Sequence, residues 1–200
     1  MIKFIFYFIF CASTLFATNI IKASTLHKND SITILKVKYK IPEFWESRKI
    51  IKIPQAHIND LRLLPDSLTY KNYNIYVTKN TYKALIKMSQ AAKKEGVILL
   101  VDSGFRSKNY QKKIIERYIK KGVPFKDVVK YVAPPGYSEH MLGTALDFVP
   151  SSKSFISSES YRWLKNNASK FGFKQTYTNN NTNNLLNESW HWNYINLSSM

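Results

Sequence analysis

Apolar residues recur at the three- and four-residue spacing of an amphipathic helix in three segments of the chain. The first covers residues 80–94 and stops before Gly96, a residue type that often follows a helix C-terminus. The second begins after Ser107, a residue type that caps helix N-termini, and stops before Gly122. The third covers residues 160–170. The apolar positions of these three predicted helices are Leu85, Met88, Ala91, Ala92, Ile114, Ile115, Tyr118, Ile119, Trp163, Leu164 and Ala168.

Shorter apolar or alternating runs predict strands. Residues 97–101 form a continuous apolar run, and residues 144–149 alternate in a way that places Asp147 within an otherwise apolar strand. A last short strand is predicted over residues 190–195, and one or two more over residues 32–39. Since helices and strands mix without a regular βαβ repeat, we expect a single small domain of the α+β class.

The first 23 residues differ from the rest of the chain. Lys3 is followed by an apolar run and then by small or hydroxylated residues, which is typical of a secretory signal peptide. Residues 4–21 are also nearly long enough to anchor the chain in a membrane, and a buried N-terminal helix is a third interpretation. Either membrane-related interpretation exports the remainder, so we expect a protein of the periplasm or cell envelope, with possible N-terminal membrane association.

The remaining chain divides into a poorly patterned N-terminal extension, residues 24–75, and a patterned domain, residues 76–200, in which the Asn-rich residues 179–184 are expected to form a loop. The single Cys excludes a disulfide framework and cysteine-based zinc sites, but it leaves a His and carboxylate site open. The formal net charge is +17, yet only 5 of the 30 basic residues are Arg, the usual reader of phosphates and bases. We therefore expect a solvated Lys surface, no nucleic-acid partner and a monomer.

Five polar residues suggest the chemistry. Asp147 is expensive to bury within an apolar strand unless it has a partner, and His140 and His191 could join it in the three-ligand pattern of a catalytic zinc site. Glu188, three residues before His191, could then exchange protons with a water. Arg106 follows a predicted strand and precedes a predicted helix, where anions are favoured. Taken singly, each has an ordinary structural explanation: a satisfied histidine, a surface glutamate or a turn arginine.

Three motifs occur together and in order. They are Ser-Gly-Phe-Arg-Ser-x-x-x-Gln at residues 103–111, Ser-Glu-His-x-x-Gly-x-Ala-x-Asp at 138–147 and Glu-x-Trp-His-Trp at 188–192. This combination resembles the VanY-type D-alanyl-D-alanine carboxypeptidases, a zinc peptidase group that also includes L,D-carboxypeptidases of the LdcB type. The resemblance covers somewhat over half of the chain, and residues 24–75 lie outside it.

The resemblance implies a fold and a site. It implies a central antiparallel sheet flanked by helices, with the zinc site on the sheet and residues 76–200 as the catalytic domain. It implies Zn²⁺ on His140, Asp147 and His191, Glu188 as general base and then acid, and Arg106 against the scissile carbonyl oxygen. The implied substrate-binding residues are Ser138, Gln111, Ser103 and Trp190.

The implied reaction is zinc-dependent hydrolysis of the C-terminal D-alanine from a peptidoglycan stem peptide. An L,D-carboxypeptidase and a peptidoglycan endopeptidase share this chemistry, and a non-catalytic wall-binding module is a further alternative that the intact Glu188 disfavours. The chain departs from the family pattern at Phe105, where Tyr is usual, and at Asn193, where Arg is frequent. We expect Asn193 to alter the edge of the substrate pocket.

Overall fold

The computed structural model describes residues 31–42, 53–178 and 187–195. The signal-like residues 1–23 and the Asn-rich residues 179–184 lie outside the described residues. Within the described part of the chain, no helix is both long enough and apolar enough to cross a membrane.

The described residues form strands, α-helices and short 3₁₀ helices in alternation along the chain. The strands are β1 Ser31–Ile34, β2 Val37–Lys40, β3 Leu61–Leu63, β4 Tyr76–Thr78, β5 Val101–Ser103, β6 Ala145–Phe148, β7 Phe173–Gln175 and β8 His191–Tyr194. The α-helices are α1 Lys79–Lys94, α2 Lys108–Lys120, α3 Phe125–Val128 and α4 Glu159–Asn167. The 3₁₀ helices are Ile58–Asp60, Asp66–Leu68, Tyr70–Asn72, Glu139–Leu142, Lys153–Ser157 and Ala168–Phe171.

The central sheet has four strands in the order β5-β6-β8-β7, and all neighbouring strands are antiparallel. Asp147 on β6 is paired with His191 on β8, and the next residues along, Leu146 and Trp192, are also paired. Because side chains alternate between the faces of a strand, the first pair lies on one face of the sheet and the second on the other. The α+β class and the central antiparallel sheet are thus confirmed.

The second face of the sheet carries the main hydrophobic core. Leu146 and Trp192 belong to one buried cluster with Leu85 of α1 and Leu164 of α4. Full burial of one such side chain is worth about 1.5–3 kcal/mol. This packing fixes β6 and β8 relative to the helices, so that the opposite face of both strands is free to carry polar groups.

The bounds predicted from the sequence for α1 and α2 lie within one or two residues of the observed bounds. Thr78 caps α1 by accepting a hydrogen bond from the Thr81 amide, and Ser107 caps α2 by accepting one from the Tyr110 amide at 3.1 Å. Caps of this kind are typically worth about 1 kcal/mol. The third predicted helix is α4 followed by the 3₁₀ helix Ala168–Phe171.

The strand predicted over residues 97–101 was misplaced. Val97 and Leu99 do pack in or against the core, which explains the apolar run, but pairing with β6 begins only at Val101. Strand β7 and the pair β3–β4 carried no pattern that identified them.

Two parts of residues 24–75 pack against residues 76–200. β3 pairs with β4, whose residues start at Tyr76. The predicted strands near residues 32–39 are present as the hairpin β1–β2, in which Tyr39 stacks on Phe125 of α3 with ring centroids 4.4 Å apart.

Candidate metal centre and active site

Three candidate ligands meet on the polar face of the central sheet. Asp147 and His191 are cross-strand neighbours, and His140 lies in the 3₁₀ helix that leads into β6. His191 Nδ1 is 2.9 Å from Asp147 Oδ1, and His140 Nε2 is 3.1 Å from Asp147 Oδ2. One donor atom from each side chain lies within 4.8 Å of the others, and all three residues are buried.

The orientation of His140 is set by a backbone carbonyl. His140 Nδ1 lies 2.7 Å from the carbonyl oxygen of Gly104, so an Nδ1–H donates there and Nε2 keeps its lone pair. Nε2 is buried, and its contact with Asp147 lacks hydrogen-bond geometry. Gly104 can bring its carbonyl this close because it has no side chain: a Cβ there would lie 2.7 Å from the Tyr76 carbonyl oxygen and from Ile75.

The three ligands shift one another's pKa values. Burial, supported by the nearby Arg106 charge, lowers the pKa of His140 to about 4. Burial would also lower that of His191, but hydrogen bonds to Asp147 and Glu139 outweigh it and raise the pKa of His191 to about 10. Burial opposes ionisation of Asp147, yet the two imidazoles hold its pKa well below the usual range. In the metal-free protein at neutral pH, His191 is therefore protonated, whereas His140 is neutral and Asp147 is ionised.

This donor set fits a divalent metal ion. Two imidazoles and one carboxylate, with room for a further ligand, match the pattern of a catalytic zinc site. The buried Nε2 of His140 lacks a hydrogen-bond partner among the described residues, as a nitrogen reserved for a metal would. Asp147, His140 and His191 are the residues that would hold the ion, which would displace the proton from His191.

Glu188 lies just before the turn that leads into β8, half-buried beside the three ligands. Burial is the main cause that raises the pKa of its carboxyl to about 7, and the negative charge of Asp147 adds to it, whereas His191 and Arg106 oppose it. The Glu188 amide donates to the Tyr177 carbonyl oxygen at 3.2 Å, which holds this turn in place. A carboxylate with a pKa near 7 suits a general base and acid at neutral pH.

Arg106 also lies beside the ligands. Its Nη2 is 3.6 Å from Asp147 Oδ2, and its amide donates to the His140 carbonyl oxygen at 3.1 Å. The buried Nε has no hydrogen-bond partner among the described residues. The side chain as a whole is 20% exposed, so the rest of the guanidinium can contact a group that enters the site.

A cavity of about 210 Å³ opens onto these residues. That is smaller than the roughly 300–1,000 Å³ usual for drug-sized ligands, so the cavity suits a small group such as the end of a peptide. Most of the residues singled out from the sequence line it: the three candidate ligands, Glu188, Arg106, Ser138, Gln111 and Trp190.

Among the candidate substrate-binding residues, Gln111 lines the cavity and Ser103 does not. Gln111 is buried on α2 and donates from Nε2 to the Ala133 carbonyl oxygen at 2.9 Å, while its Oε1 has no hydrogen-bond partner among the described residues. Ser103 lies outside the cavity, in an adjoining groove that it lines together with Phe105.

Glu139 belongs to the motif at residues 138–147, but no role for it was predicted from the sequence. Its Oε2 accepts hydrogen bonds from His191 Nε2 at 3.0 Å, Asn193 Nδ2 at 3.1 Å and Thr176 Oγ1 at 2.9 Å. Burial raises the pKa of Glu139, but the hydrogen bonds from His191 and Thr176 and the charge of His191 outweigh it and keep the pKa below the ordinary value. Its position next to His140 was the available signal, but nothing in the spacing links it to a histidine 52 residues away.

Other features of the site were also missed. Tyr177 lines the cavity, with its ring centroid 4.7 Å from that of His191, and residues 130–133 form another wall. Asn193, which we expected at the pocket edge, is instead buried on β8 beside Glu139 and does not line the cavity.

Comparison with known proteins supports the resemblance drawn from the motifs. The family model described as VanY, D-alanyl-D-alanine carboxypeptidase, matches residues 74–197. YodJ of Bacillus subtilis is 31% identical over 173 residues, which cover 82% of this chain and 59% of YodJ. A D-alanyl-D-alanine carboxypeptidase of Enterococcus faecalis is 34% identical over 119 residues, which cover 54% of this chain and 44% of the relative. The chain thus spans about half the length of these relatives.

Solved structures show the same fold. The LdcB LD-carboxypeptidase matches with a TM-score of 0.63 and 26% identity, over 84% of both chains. VanYB in complex with D-alanine-D-alanine matches with a TM-score of 0.58 and 29% identity, over 74% of this chain and 83% of VanYB. A VanY D,D-pentapeptidase in complex with Zn(II) matches with a TM-score of 0.52 and 28% identity, over 68% of this chain and 85% of its own.

The family model covers more than half of the chain, including all three motifs and the three candidate ligands. The chain belongs to the VanY family of D-alanyl-D-alanine carboxypeptidases.

Proposed function

We propose that this chain is a zinc-dependent carboxypeptidase that hydrolyses the C-terminal D-alanine from peptidoglycan stem peptides. One observation carries the proposal: Glu188, whose pKa is raised to about 7, shares a small cavity with the buried cluster of His140, Asp147 and His191. A site that only held a structural metal would have no use for a carboxyl group adjusted to exchange protons at neutral pH.

The residues of this chain divide the work of hydrolysis. Zn²⁺, when bound, supplies Lewis acidity that polarises the scissile carbonyl and makes a water more acidic. Glu188 accepts a proton from the water that adds to the carbonyl carbon. It then donates this proton to the leaving nitrogen as the C–N bond breaks. Arg106, which lines the cavity, stabilises the negative charge that develops on the carbonyl oxygen.

The cavity supports a peptide C-terminus as the substrate. Arg106 and Lys130 among its lining residues favour a group with negative charge, such as a terminal carboxylate. The polar residues Gln111 and Ser138 lie in the wall of the same cavity. The small volume suits the methyl side chain of alanine.

A second specificity deserves the same test. The LdcB LD-carboxypeptidase covers more of this chain, and at a higher TM-score, than VanYB does. That similarity favours an L,D-carboxypeptidase, which would remove the terminal D-alanine from a tetrapeptide stem by the same zinc chemistry.

The proposed substrate fixes where the protein acts. Peptidoglycan lies outside the cytoplasmic membrane, so the proposal requires export, for which the signal-like residues 1–23 are suited. All residues used in the mechanism come from one chain, and we therefore propose that a monomer is active.

Mass spectrometry of defined stem peptides tests this function. The full chain, loaded with Zn²⁺, is incubated with pentapeptide and tetrapeptide stems and with a cross-linked dimer. We expect the pentapeptide to lose one alanine. Loss of one alanine from the tetrapeptide alone would indicate the L,D specificity, and cleavage of the dimer would indicate an endopeptidase. If none of the three substrates is cleaved, the proposal that the protein is a peptidoglycan hydrolase is refuted.

A further inference from the structure

The carboxylate of Glu139 joins two parts of the site that are distant in sequence. Glu139 directly precedes His140 in the 3₁₀ helix, and it receives hydrogen bonds from His191 and Asn193 on β8. Those two residues are two apart on one strand, so both side chains emerge on the same face of the sheet. Thr176, just after β7, donates the third hydrogen bond to the same oxygen.

The contact with His191 determines which ring nitrogen remains available. A neutral imidazole carries one N–H, and the acceptor it meets decides which nitrogen holds that hydrogen. In the metal-free protein both nitrogens donate, Nδ1 to Asp147 and Nε2 to Glu139. When an ion displaces one proton, the carboxylate of Glu139, 3.0 Å from Nε2, keeps the hydrogen on Nε2, so that Nδ1 has the lone pair. Nδ1 is the nitrogen that faces Asp147, at 2.9 Å.

His140 is arranged in the opposite sense. Its Nδ1 is held by the Gly104 carbonyl, which leaves Nε2 facing Asp147. The two histidines thus direct different ring nitrogens toward Asp147, Nε2 of His140 and Nδ1 of His191. The other nitrogen of each ring is held by its own acceptor. Only the acceptor behind His191 carries a formal charge.

We infer that Glu139 is a positioning residue of the metal centre: it fixes the Nε2–H tautomer and the ring orientation of His191, so that His191 binds the ion through Nδ1. Asn193 and Thr176 in turn hold the carboxylate of Glu139 in place. The inference rests on the metal centre of the proposed function, but not on the identity of the substrate. Acceptors of this kind also make a ligating imidazole more basic, and their loss typically weakens metal binding about 10- to 100-fold.

Zinc affinity of Glu139 variants tests the inference without any substrate. The full-length wild type, Glu139→Gln and Glu139→Ala are titrated with Zn²⁺ at fixed pH against a chromophoric chelator. We expect Glu139→Ala to bind Zn²⁺ about 10- to 100-fold more weakly and Glu139→Gln to fall between it and the wild type, because its amide oxygen still accepts but carries no charge. Affinity within twofold of wild type in folded Glu139→Gln would overturn the inference, and this variant decides if Glu139→Ala fails to fold.

Glu95→Gln is the matched control. Glu95 also accepts a side-chain hydrogen bond, from Trp163 Nε1 at 3.0 Å, and has the same formal charge, but it lies at the end of α1 away from the site. We expect this variant to bind Zn²⁺ like the wild type. Equal weakening in Glu95→Gln and Glu139→Gln would refute a specific role, because it would trace the effect to net charge.

Imidazole nitrogen NMR of the ¹⁵N-histidine-labelled, zinc-loaded protein gives a second readout, which a purely structural role would not change. The wild type is expected to show a protonated Nε2 and a metal-bound Nδ1 at His191. The opposite pattern in the wild type would overturn the inference. A wild-type protein that binds Zn²⁺ as described yet cleaves no stem peptide would refute the proposed function alone.

Discussion

Asp147 and His191 face each other across strands β6 and β8, with Asp147 Oδ1 2.9 Å from His191 Nδ1. A shift of one residue in this pairing would turn one of the two side chains into the core. The buried pair of Leu146 and Trp192, one position along, holds the register. The core packing on one face of the sheet is therefore what assembles the metal centre on the other.

Asp147→Asn should abolish tight metal binding. The substitution removes a ligand and leaves His191 without its closest charged partner, so we expect affinity to fall by more than the roughly 100-fold that loss of an outer hydrogen-bond partner can cost. Competition titration with Zn²⁺ measures this. Asp102→Asn, which changes a carboxylate on the neighbouring strand that accepts from Ser151, is the control and should bind as the wild type does.

Gly104→Ala should damage the site through its backbone. The added Cβ would sit 2.7 Å from the Tyr76 carbonyl oxygen, so β5 and β4 must move apart and the acceptor behind His140 must shift. We expect the variant to lose about 1–3 kcal/mol of stability and also to bind Zn²⁺ more weakly. Gly122→Ala provides the contrast. The φ of +83° at Gly122 is unfavourable for alanine, although the added Cβ would meet no atom within 4 Å. Because Gly122 lies far from the ligands, we expect lower stability and unchanged zinc affinity. Unchanged zinc affinity in Gly104→Ala would contradict this role.

Glu188→Gln should stabilise the metal-free protein above neutral pH. Folding raises the pKa of Glu188 from 4.5 to about 7, so its ionised form disfavours the folded state, and this cost grows as the pH rises from 4.5 and is complete above 7. A shift of one pKa unit corresponds to about 1.4 kcal/mol, and we reduce the total because the side chain is partly exposed. We therefore expect the free energy of unfolding to increase by about 1–3 kcal/mol at pH 8 and by less than about 1 kcal/mol at pH 5. Urea unfolding in the presence of a chelator measures it, and the exposed Glu159→Gln should show no such gain.

The pH profile of kcat/KM should rise from acid to neutral pH. Glu188 accepts a proton only when it is ionised, so activity should increase about tenfold per pH unit below its pKa and level off above it. The metal-free pKa of about 7 is an upper bound for this limb, because a bound cation nearby favours the carboxylate. The profile is measured at saturating Zn²⁺, and activity that falls between pH 5 and 7 would exclude Glu188 as the base.

The features that could be predicted from the sequence are those encoded by local patterns. The helices around Leu85 and Ile115 were predictable because their apolar spacing and their caps are local. Asp147 was identifiable because a carboxylate within an apolar strand needs a partner. His140 and His191 were identifiable as its candidate partners, which the three motifs then supported, and the structure brings all three together.

What the sequence could not reveal depended on contacts between distant segments. The hydrogen bonds of Glu139 to His191 and Asn193 span 52 and 54 residues, and no local pattern encodes them. Strand β7 has three residues, too few to show a period. Ser103 was placed with the substrate-binding residues by its motif, but its strand directs it into the adjoining groove.

Release of D-alanine from a pentapeptide stem, compared between three preparations of the full chain, tests the central claim most directly. These are the metal-free wild type, the same protein with Zn²⁺ restored, and Glu188→Gln with Zn²⁺. We expect release only after Zn²⁺ is restored to the wild type, and Glu188→Gln to retain the metal but lose at least about 100-fold in turnover. Equal release by the metal-free protein, or near-normal turnover by Glu188→Gln, would contradict metal-assisted hydrolysis at this site.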